Sequence, residues 1–306
     1  MLEGVLSMQN LISDPVSMTS CRQEAYLLRL RRQFPFVYVK TLTRTAFGRS
    51  VYALQFGSGS RKLLITAGHH ANETITSDAV WQWLFTFCNA LMDGEAVCGA
   101  EARELYHNAM VYLVPLVNPD GADLAAGVCA PGSPEYRAAA DIAAQYPDIP
   151  FPSGWKANLR GVDLNLNYPA RWEAARRIKK AQGVSTPAPR DFAGFSPLDQ
   201  PETAALAAFT RCIHPELMLA LHTQGSVIYP APDETAPPAT RSSLCRRNRP
   251  MRALRTGFCR YSSGPRSRSR PVLAKTRCPP RSCRRSRAPS ARFLPPRCSG
   301  KISRKP

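Results

Sequence analysis

The stretch "KLLITAGHHANETIT", residues 62–76, joins an apolar run to a group of polar side chains that can bind metal ions. Its first seven residues are almost continuously apolar, which predicts a strand covered on both faces of a sheet. His69 and His70 follow the strand, and Glu73 comes three residues after the second histidine. The next segment, residues 77–92, is predominantly apolar and predicts a long buried helix. The stretch therefore predicts a strand, a turn and a helix, with the two histidines and the acid at the turn.

The sequence on both sides alternates further helices and strands. Apolar residues at helical spacing predict helices in "CRQEAYLLRLRRQF" (21–34), "ARELYHN" (102–108) and "QPETAALAAFTRCI" (200–213). Short apolar or β-rich runs predict strands in "FVYVKTL" (36–42), "SVYALQFG" (50–57), "AMVYLVPLV" (109–117) and "ELMLALHTQG" (216–225), and a short strand or extended segment in "VDLNLN" (162–167). The "NPDG" at 118–121 predicts a turn. This alternation predicts an α/β sheet with helices on both faces.

The charge of the chain is divided very unevenly along its length. The formal net charge is +19, but residues 1–234 hold all 22 acidic residues and 20 of the 41 basic ones, and are nearly neutral. Residues 235–306 hold the other 21 basic residues and no acid, and they are rich in Arg, Ser, Pro and Cys. Such a segment buries too little apolar surface to offset its ordering entropy, so we expect it to be disordered.

Two origins of this tail remain open at the level of sequence. The abrupt change of composition near residues 231–235 is typical of a shifted reading frame in GC-rich coding DNA. The alternative is a genuine basic tail that binds nucleic acid or an anionic wall polymer through counterion release. Family-like sequence reappearing in another frame beyond codon 230 would establish the first.

The remaining bulk features exclude several classes of protein. No CxxC pair occurs among the ten cysteines, which argues against a zinc ribbon or a thioredoxin-like site. The N-terminal residues lack the basic start and apolar core of a signal peptide. No run of about 18 apolar residues predicts a membrane span. We therefore expect a cytoplasmic protein.

Three side chains form a candidate metal site. His70 and Glu73 are three residues apart on a turn, where both can point at one ion. His222 follows another apolar strand, and functional sites in open α/β sheets form at the carboxyl ends of the strands. Zinc hydrolases use such a set of two histidines and a carboxylate. Taken alone, the pattern is also compatible with a capped helix N-terminus, where Glu73 is favourable beside the helix dipole.

Four ordered motifs, "AGHHANE", "NPDG", "KANLRGVDLNLNYP" and "LHTQG", resemble the zinc metallocarboxypeptidase family, and within it the bacterial γ-D-glutamyl-diaminopimelate peptidases of the cell wall. The resemblance implies a mixed, mostly parallel central sheet with helices on both faces, truncated at its C-terminal end, and one Zn²⁺ per chain. It implies His70, Glu73 and His222 as ligands, with His69 outside the ligand set. It also implies that Asp163 accepts a hydrogen bond from the far nitrogen of His70.

The same resemblance implies roles in substrate binding and catalysis. Arg160 matches the arginine that stabilises the oxyanion, an interaction worth about 3 kcal/mol of barrier. Asn165 matches a substrate-binding asparagine. Leu166 departs from the family, because carboxypeptidases have an arginine there that binds the terminal carboxylate of the substrate. This departure favours endopeptidase-like cleavage or a substrate carboxylate that is bound by other groups.

One catalytic group has no counterpart in the sequence. The family uses a glutamate downstream of the third ligand as the general base, but no acid follows Glu234. We therefore expect an N-terminal extension (1–20), an incomplete catalytic domain (21–234) and a tail (235–306). The predicted function is zinc-dependent hydrolysis of a peptide or muropeptide, namely of amide bonds in peptidoglycan-derived γ-D-glutamyl-diamino acid peptides, with no specific nucleic-acid partner. The missing general base predicts weak or absent hydrolysis by this chain. The alternatives are a non-catalytic zinc-binding remnant and a binding protein that acts through its basic tail.

Overall fold

The structure is a computed structural model that describes residues 17–224. Its helices are α1 (Ser20–Gln33), α2 (Ile75–Asp93), α3 (Ala102–Asn108), α4 (Pro119–Ala125), α5 (Pro134–Ala143), α6 (Trp172–Ala181) and α7 (Pro201–Ile213), with a 3₁₀ turn at Leu164–Leu166. Its strands are β1 (Tyr38–Arg44), β2 (Ser50–Gly57), β3 (Arg61–Thr66), β4 (Ala96–Val97), β5 (Ala100–Glu101), β6 (Ala109–Val114) and β7 (Leu217–Ala220). Among these helices, none has the length and apolar character needed to cross a membrane.

Five of the strands form one mixed sheet in the order β1-β2-β6-β3-β7. The three strands β6, β3 and β7 are parallel, whereas β2 is antiparallel to both of its neighbours. Four of the five strands therefore run in the same direction. Helices separate the parallel strands in sequence, because a crossover between parallel strands needs a dozen or more residues. The strands β4 and β5 form a separate two-stranded ribbon.

The alternation of side chains along the strands produces two cores, one on each face of the sheet. On β3, Leu63 packs into the core formed with α1 and α2, whereas Leu64 packs into the core formed with α7. On β6, Leu113 and Tyr112 divide between the same two cores. Because both faces are covered, the central strands are apolar on both sides, as the run at 62–68 predicts.

Two motifs adopt a conformation that differs from the sequence prediction. The segment "VDLNLN" is not a strand: Asp163 accepts a hydrogen bond from the backbone N–H of Asn165, and residues 164–166 close into a 3₁₀ turn. The "NPDG" motif begins helix α4, since Asn118 caps it through the N–H of Gly121 and Pro119 occupies its first turn. Both differences have one cause, which is a short polar side chain that satisfies the backbone of a turn.

The described fold begins before the boundary expected at residue 21. Met18 is completely buried, and the side chain of Thr19 caps helix α1. The expected tail, residues 235–306, and most of the expected extension, residues 1–20, lie outside the described residues.

A partly buried charge network joins the start of helix α1 to helix α4. Arg49 contacts Asp120 Oδ1 through Nη1 at 3.0 Å and Asp123 Oδ2 through Nε at 2.6 Å. Asp123 also accepts hydrogen bonds from the backbone N–H and the hydroxyl of Ser20. Both carboxylates are buried, so the cation of Arg49 offsets the cost of removing them from water.

Candidate metal centre

The site is formed where the adjacent parallel strands β3 and β7 end. Thr66 is paired with Ala220 in the last register position of the two strands, and the N–H of Leu221 extends the ladder to the carbonyl of Thr66 at 2.9 Å. His70 lies in the turn that follows β3, and His222 lies two residues beyond β7. Because the two strands are parallel neighbours, their carboxyl ends bring residues distant in sequence to one edge of the sheet.

His70, Glu73 and His222 form the only cluster of at least three potential metal-binding side chains among residues 17–224. The Nδ1 atoms of the two histidines are 3.2 Å apart. Glu73 Oε1 lies 3.0 Å from Nδ1 of His70, and Oε2 lies 3.2 Å from Nδ1 of His222. One potential ligand atom from each residue falls within 4.8 Å of the others. Two nitrogens and a carboxylate that converge in this way fit Zn²⁺.

Asp163 contacts the opposite side of the His70 ring. Its Oδ1 lies 3.2 Å from His70 Nε2, while its Oδ2 accepts the N–H of Asp191. Burial alone would raise the pKa of Asp163, but the hydrogen bond and the charge of His70 hold it below the usual value. Burial would lower the pKa of His70, yet its contacts with Asp163 and Glu73 raise it to about 9. Carboxylates therefore hold both ring nitrogens of His70, which fixes the orientation of the ring.

Glu73 is the most heavily bonded member of the cluster. Oε2 also accepts the backbone N–H of Thr223 at 3.0 Å, and Oε1 also contacts Lys156 Nζ at 3.2 Å. Burial would raise the pKa of Glu73, but hydrogen bonds from His222 and His70 hold it well below the usual range. The carboxylate is therefore ionised and oriented.

Two residues of this environment have no role in the sequence predictions. Lys156 belongs to the quoted "KANLRG" motif, and no sequence pattern marks its side chain as buried. Asn118 belongs to "NPDG": its amide donates to the carbonyls of His69 and Ala157, at 3.3 and 3.0 Å, and thereby joins the turn that carries the candidate cluster to the loop that carries Lys156. The sequence signal that could have identified Asn118 as a helix cap is its position after a predicted strand and directly before a proline.

His69 is buried beside the cluster and is not part of it. Its Nε2 lies 3.1 Å from the hydroxyl of Tyr168, and its Nδ1 has no hydrogen-bond partner among the described residues. Burial, followed by the charges of His222 and His70, lowers the pKa of His69 to about 3. The ring is therefore neutral at physiological pH.

Arg160 and Asn165, the two predicted substrate-contacting residues, are exposed on the loop that carries Asp163. Asn158 shapes this loop, because its Oδ1 accepts the N–H groups of Arg160 and Val162, each at 3.1 Å. Gly161 lies between them with a φ of +71°, and a side chain there would collide with the segment at Pro187 and Ala188.

The sequence matches a known protein family. A family model described as zinc carboxypeptidase matches residues 23–262. The chain belongs to the zinc carboxypeptidase family. Gamma-D-glutamyl-L-diamino acid endopeptidase 1 of Lysinibacillus sphaericus is 35% identical over 218 residues, which are 71% of this chain and 53% of that protein. The uncharacterized protein YqgT of Bacillus subtilis is 37% identical over 199 residues, which are 64% of this chain and 51% of that protein. The chain thus spans about half the length of the curated relatives it matches.

Solved structures share the fold at low sequence identity. Thrombin activatable fibrinolysis inhibitor superposes with a TM-score of 0.56 at 17% identity, over 74% of this chain and 51% of that chain. Carboxypeptidase A from Helicoverpa armigera superposes with a TM-score of 0.51 at 20% identity, over 73% of this chain and 50% of that chain. These similarities confirm the predicted mixed, mostly parallel α/β fold of this zinc carboxypeptidase family member.

Proposed function

We propose that this chain is a zinc-dependent peptidase domain that hydrolyses amide bonds in peptidoglycan-derived γ-D-glutamyl-diamino acid peptides. One observation carries the proposal: the side chains of His70, Glu73 and His222 converge at the ends of two adjacent strands, and Asp163 supports the first of them. Bound zinc would supply Lewis-acid activation of a water and of the scissile carbonyl.

The other residues of the site have roles that follow from their positions. Asp163 fixes the ring of His70 through Nε2, so that Nδ1 faces Glu73 and His222 and would be the atom that holds zinc. Arg160 is exposed on the same loop and offers a permanent cation to the oxygen on which negative charge develops. Asn165 is exposed two residues beyond Asp163 and can donate to, and accept from, a substrate amide.

The substrate class is supported by a relative and by one side chain. One relative, which is 35% identical over the matched residues, is named gamma-D-glutamyl-L-diamino acid endopeptidase 1. Leu166 ends the 3₁₀ turn where the family pattern has an arginine, and a leucine cannot form a bidentate contact with a terminal carboxylate. Both points favour cleavage within a peptide over removal of its last residue.

A non-catalytic zinc-binding protein is the second candidate. It is favoured by the composition of residues 235–306, which contain no Asp or Glu and so offer no general base after the third ligand. In that case the ligands would hold zinc for recognition of a peptide, and hydrolysis would be absent.

Metal content and turnover test the two candidates separately. Elemental analysis of the purified chain should give about one zinc per chain. His70→Ala should lose it, whereas His107→Ala, which changes an exposed histidine outside the cluster, should retain it. Turnover of a γ-D-glutamyl-diaminopimelate peptide that depends on zinc supports the peptidase. Zinc binding without turnover supports the second candidate, and a chain without metal that is indifferent to His70→Ala would refute both.

A further inference from the structure

Lys156 connects the "KANLRG" loop to the turn that carries the first two ligands. Its carbonyl accepts the N–H of Ala71, which lies between His70 and Glu73, and its own N–H donates to the carbonyl of Pro189. Its ammonium nitrogen contacts Glu73 Oε1 at 3.2 Å. Main chain and side chain therefore bind the same four-residue turn.

Both members of this ion pair are buried. The side chains of Lys156 and Glu73 are 4% and 3% exposed. A buried cation is tolerated only when an anion compensates it. Within residues 17–224, Glu73 provides the only salt bridge of Lys156, and Lys156 is the only lysine that is buried. The contact is therefore a constraint on the carboxylate rather than an incidental surface pair.

We propose that Lys156 acts on the metal centre through Glu73: it is a built-in counter-ion that compensates the charge of Glu73 without metal and lowers the affinity of the site for zinc. The inference rests on the proposed zinc site. Zn²⁺ adds two positive charges to a buried carboxylate that already neutralises one, and like charges repel strongly where water is excluded.

Removal of the Lys156 ammonium should favour zinc binding through its effects on both the metal-bound and the metal-free site. In the metal-bound state, replacement of Lys156 by a neutral residue removes a repulsive charge. In the metal-free state, the same replacement leaves Glu73 with fewer partners and destabilises the protein. Each effect favours zinc, so the neutral variant should bind the metal more tightly than the natural chain. A lysine that merely filled space would change stability in both states equally and leave the zinc affinity unchanged.

The test measures zinc affinity on the full chain by competition with a chromophoric chelator. Lys156→Met and Lys156→Gln should each lower the Kd for zinc by at least about tenfold. Lys40→Met is the matched control, because it removes one positive charge from an exposed position on β1 and should leave the Kd unchanged. The melting temperature in EDTA should fall for the two Lys156 variants, and the increase in melting temperature on zinc addition should be larger than in the natural chain.

A measurement on the unmodified chain makes the test independent of whether the variants fold. A buried, hydrogen-bonded ammonium exchanges slowly with water, so ¹⁵N-edited NMR of the metal-free chain should show one protected lysine ammonium signal. Zinc should shift that signal, because the metal competes for the same carboxylate. A signal that does not move on saturation with zinc overturns the proposal.

The outcomes separate this inference from the proposed function. If the natural chain takes up no zinc, the metal site itself is wrong. If the natural chain binds zinc and the Lys156 variants bind it equally well or more weakly, the metal site stands and the role of Lys156 is refuted.

Discussion

Glu202→Gln is expected to remove a pH-dependent loss of stability that originates in one buried carboxyl group. Glu202 lies in the first turn of helix α7, is 1% exposed, and its Oε2 has no hydrogen-bond partner among residues 17–224. Burial, with a smaller contribution from the charge of Asp120, raises the pKa of Glu202 to about 7. The backbone N–H of Glu202, the side chain of Asn158 and the charge of Arg160 oppose these effects without cancelling them.

The sign and the size follow from the two pKa values of Glu202. Between its ordinary value of 4.5 and about 7, the folded chain holds a proton that the unfolded chain releases. The unfolded state then binds fewer protons, so the free energy of unfolding decreases as the pH rises. The stability that protonated Glu202 contributes to the folded chain is fully present below pH 4.5. It is lost as the pH rises through about 7. A difference of about 2.5 pKa units corresponds to about 3 kcal/mol at most.

Urea denaturation in EDTA at pH 5, 6, 7 and 8 tests this prediction. The free energy of unfolding of Glu202→Gln should lie within about 1 kcal/mol of that of the natural chain at pH 5 and exceed it by up to about 3 kcal/mol at pH 8. Glu173→Gln, at an exposed position in helix α6, is the control and should follow the natural chain at every pH. Curves for Glu202→Gln and the natural chain that stay parallel from pH 5 to 8 would refute the reasoning.

Three further substitutions probe the structure around the site. Arg49→Met should lower the free energy of unfolding by about 3 kcal/mol, because two buried aspartates lose their cation, and exposed Arg44→Met should change it little in the same urea titration. Gly68→Ala should cost about 2–5 kcal/mol, because its φ is +63° and a Cβ would approach two side-chain atoms to 2.7 Å. Gly48→Ala, with a φ of +85° in open space, should cost only the conformational part, about 1 kcal/mol. Asp163→Asn should weaken zinc binding about 10–100-fold in chelator competition, and an unchanged Kd would contradict its role beside the ligand histidine.

The sheet could be predicted from the sequence because its central strands are buried on both faces. The apolar runs that become β3, β6 and β7 match the observed strands to within a few residues. Helices α5 and α6 were not predicted. Helix α6 is amphipathic in sequence, although it buries only Trp172. Helix α5 is rich in alanine, but Ser133 and Pro134 are a recognisable start signal, and the cap is formed as those residue types indicate.

Only some members of the candidate site could be predicted from the sequence. They are the side chains of a metal-binding type that follow a predicted strand. His70, Glu73 and His222 could be proposed because few side chains bind zinc and because carboxyl ends of strands gather them. Lys156 could not be identified, since its burial depends on a loop that packs against a turn about 85 positions earlier in the chain, and sequence periodicity does not report such contacts. Asp163 was assigned through the resemblance, and its backbone is extended, although the residues that follow it form a 3₁₀ turn in place of the predicted strand or extended segment.

His222, the third residue of the candidate metal cluster, would couple metal binding to the edge of the sheet. Strand β7 has four residues and pairs with β3, and no second strand among residues 17–224 pairs with it. Beyond β7, the chain is held to the ligand turn by the contacts of His222 and Thr223 with Glu73. A ligand that binds only the assembled site stabilises that assembly by an amount set by its concentration relative to its Kd. At the proposed zinc site, zinc binding and the docking of β7 would therefore be linked equilibria: a chain segment that pairs with the other edge of β7 would raise the affinity for zinc, and zinc would in turn hold β7 against β3.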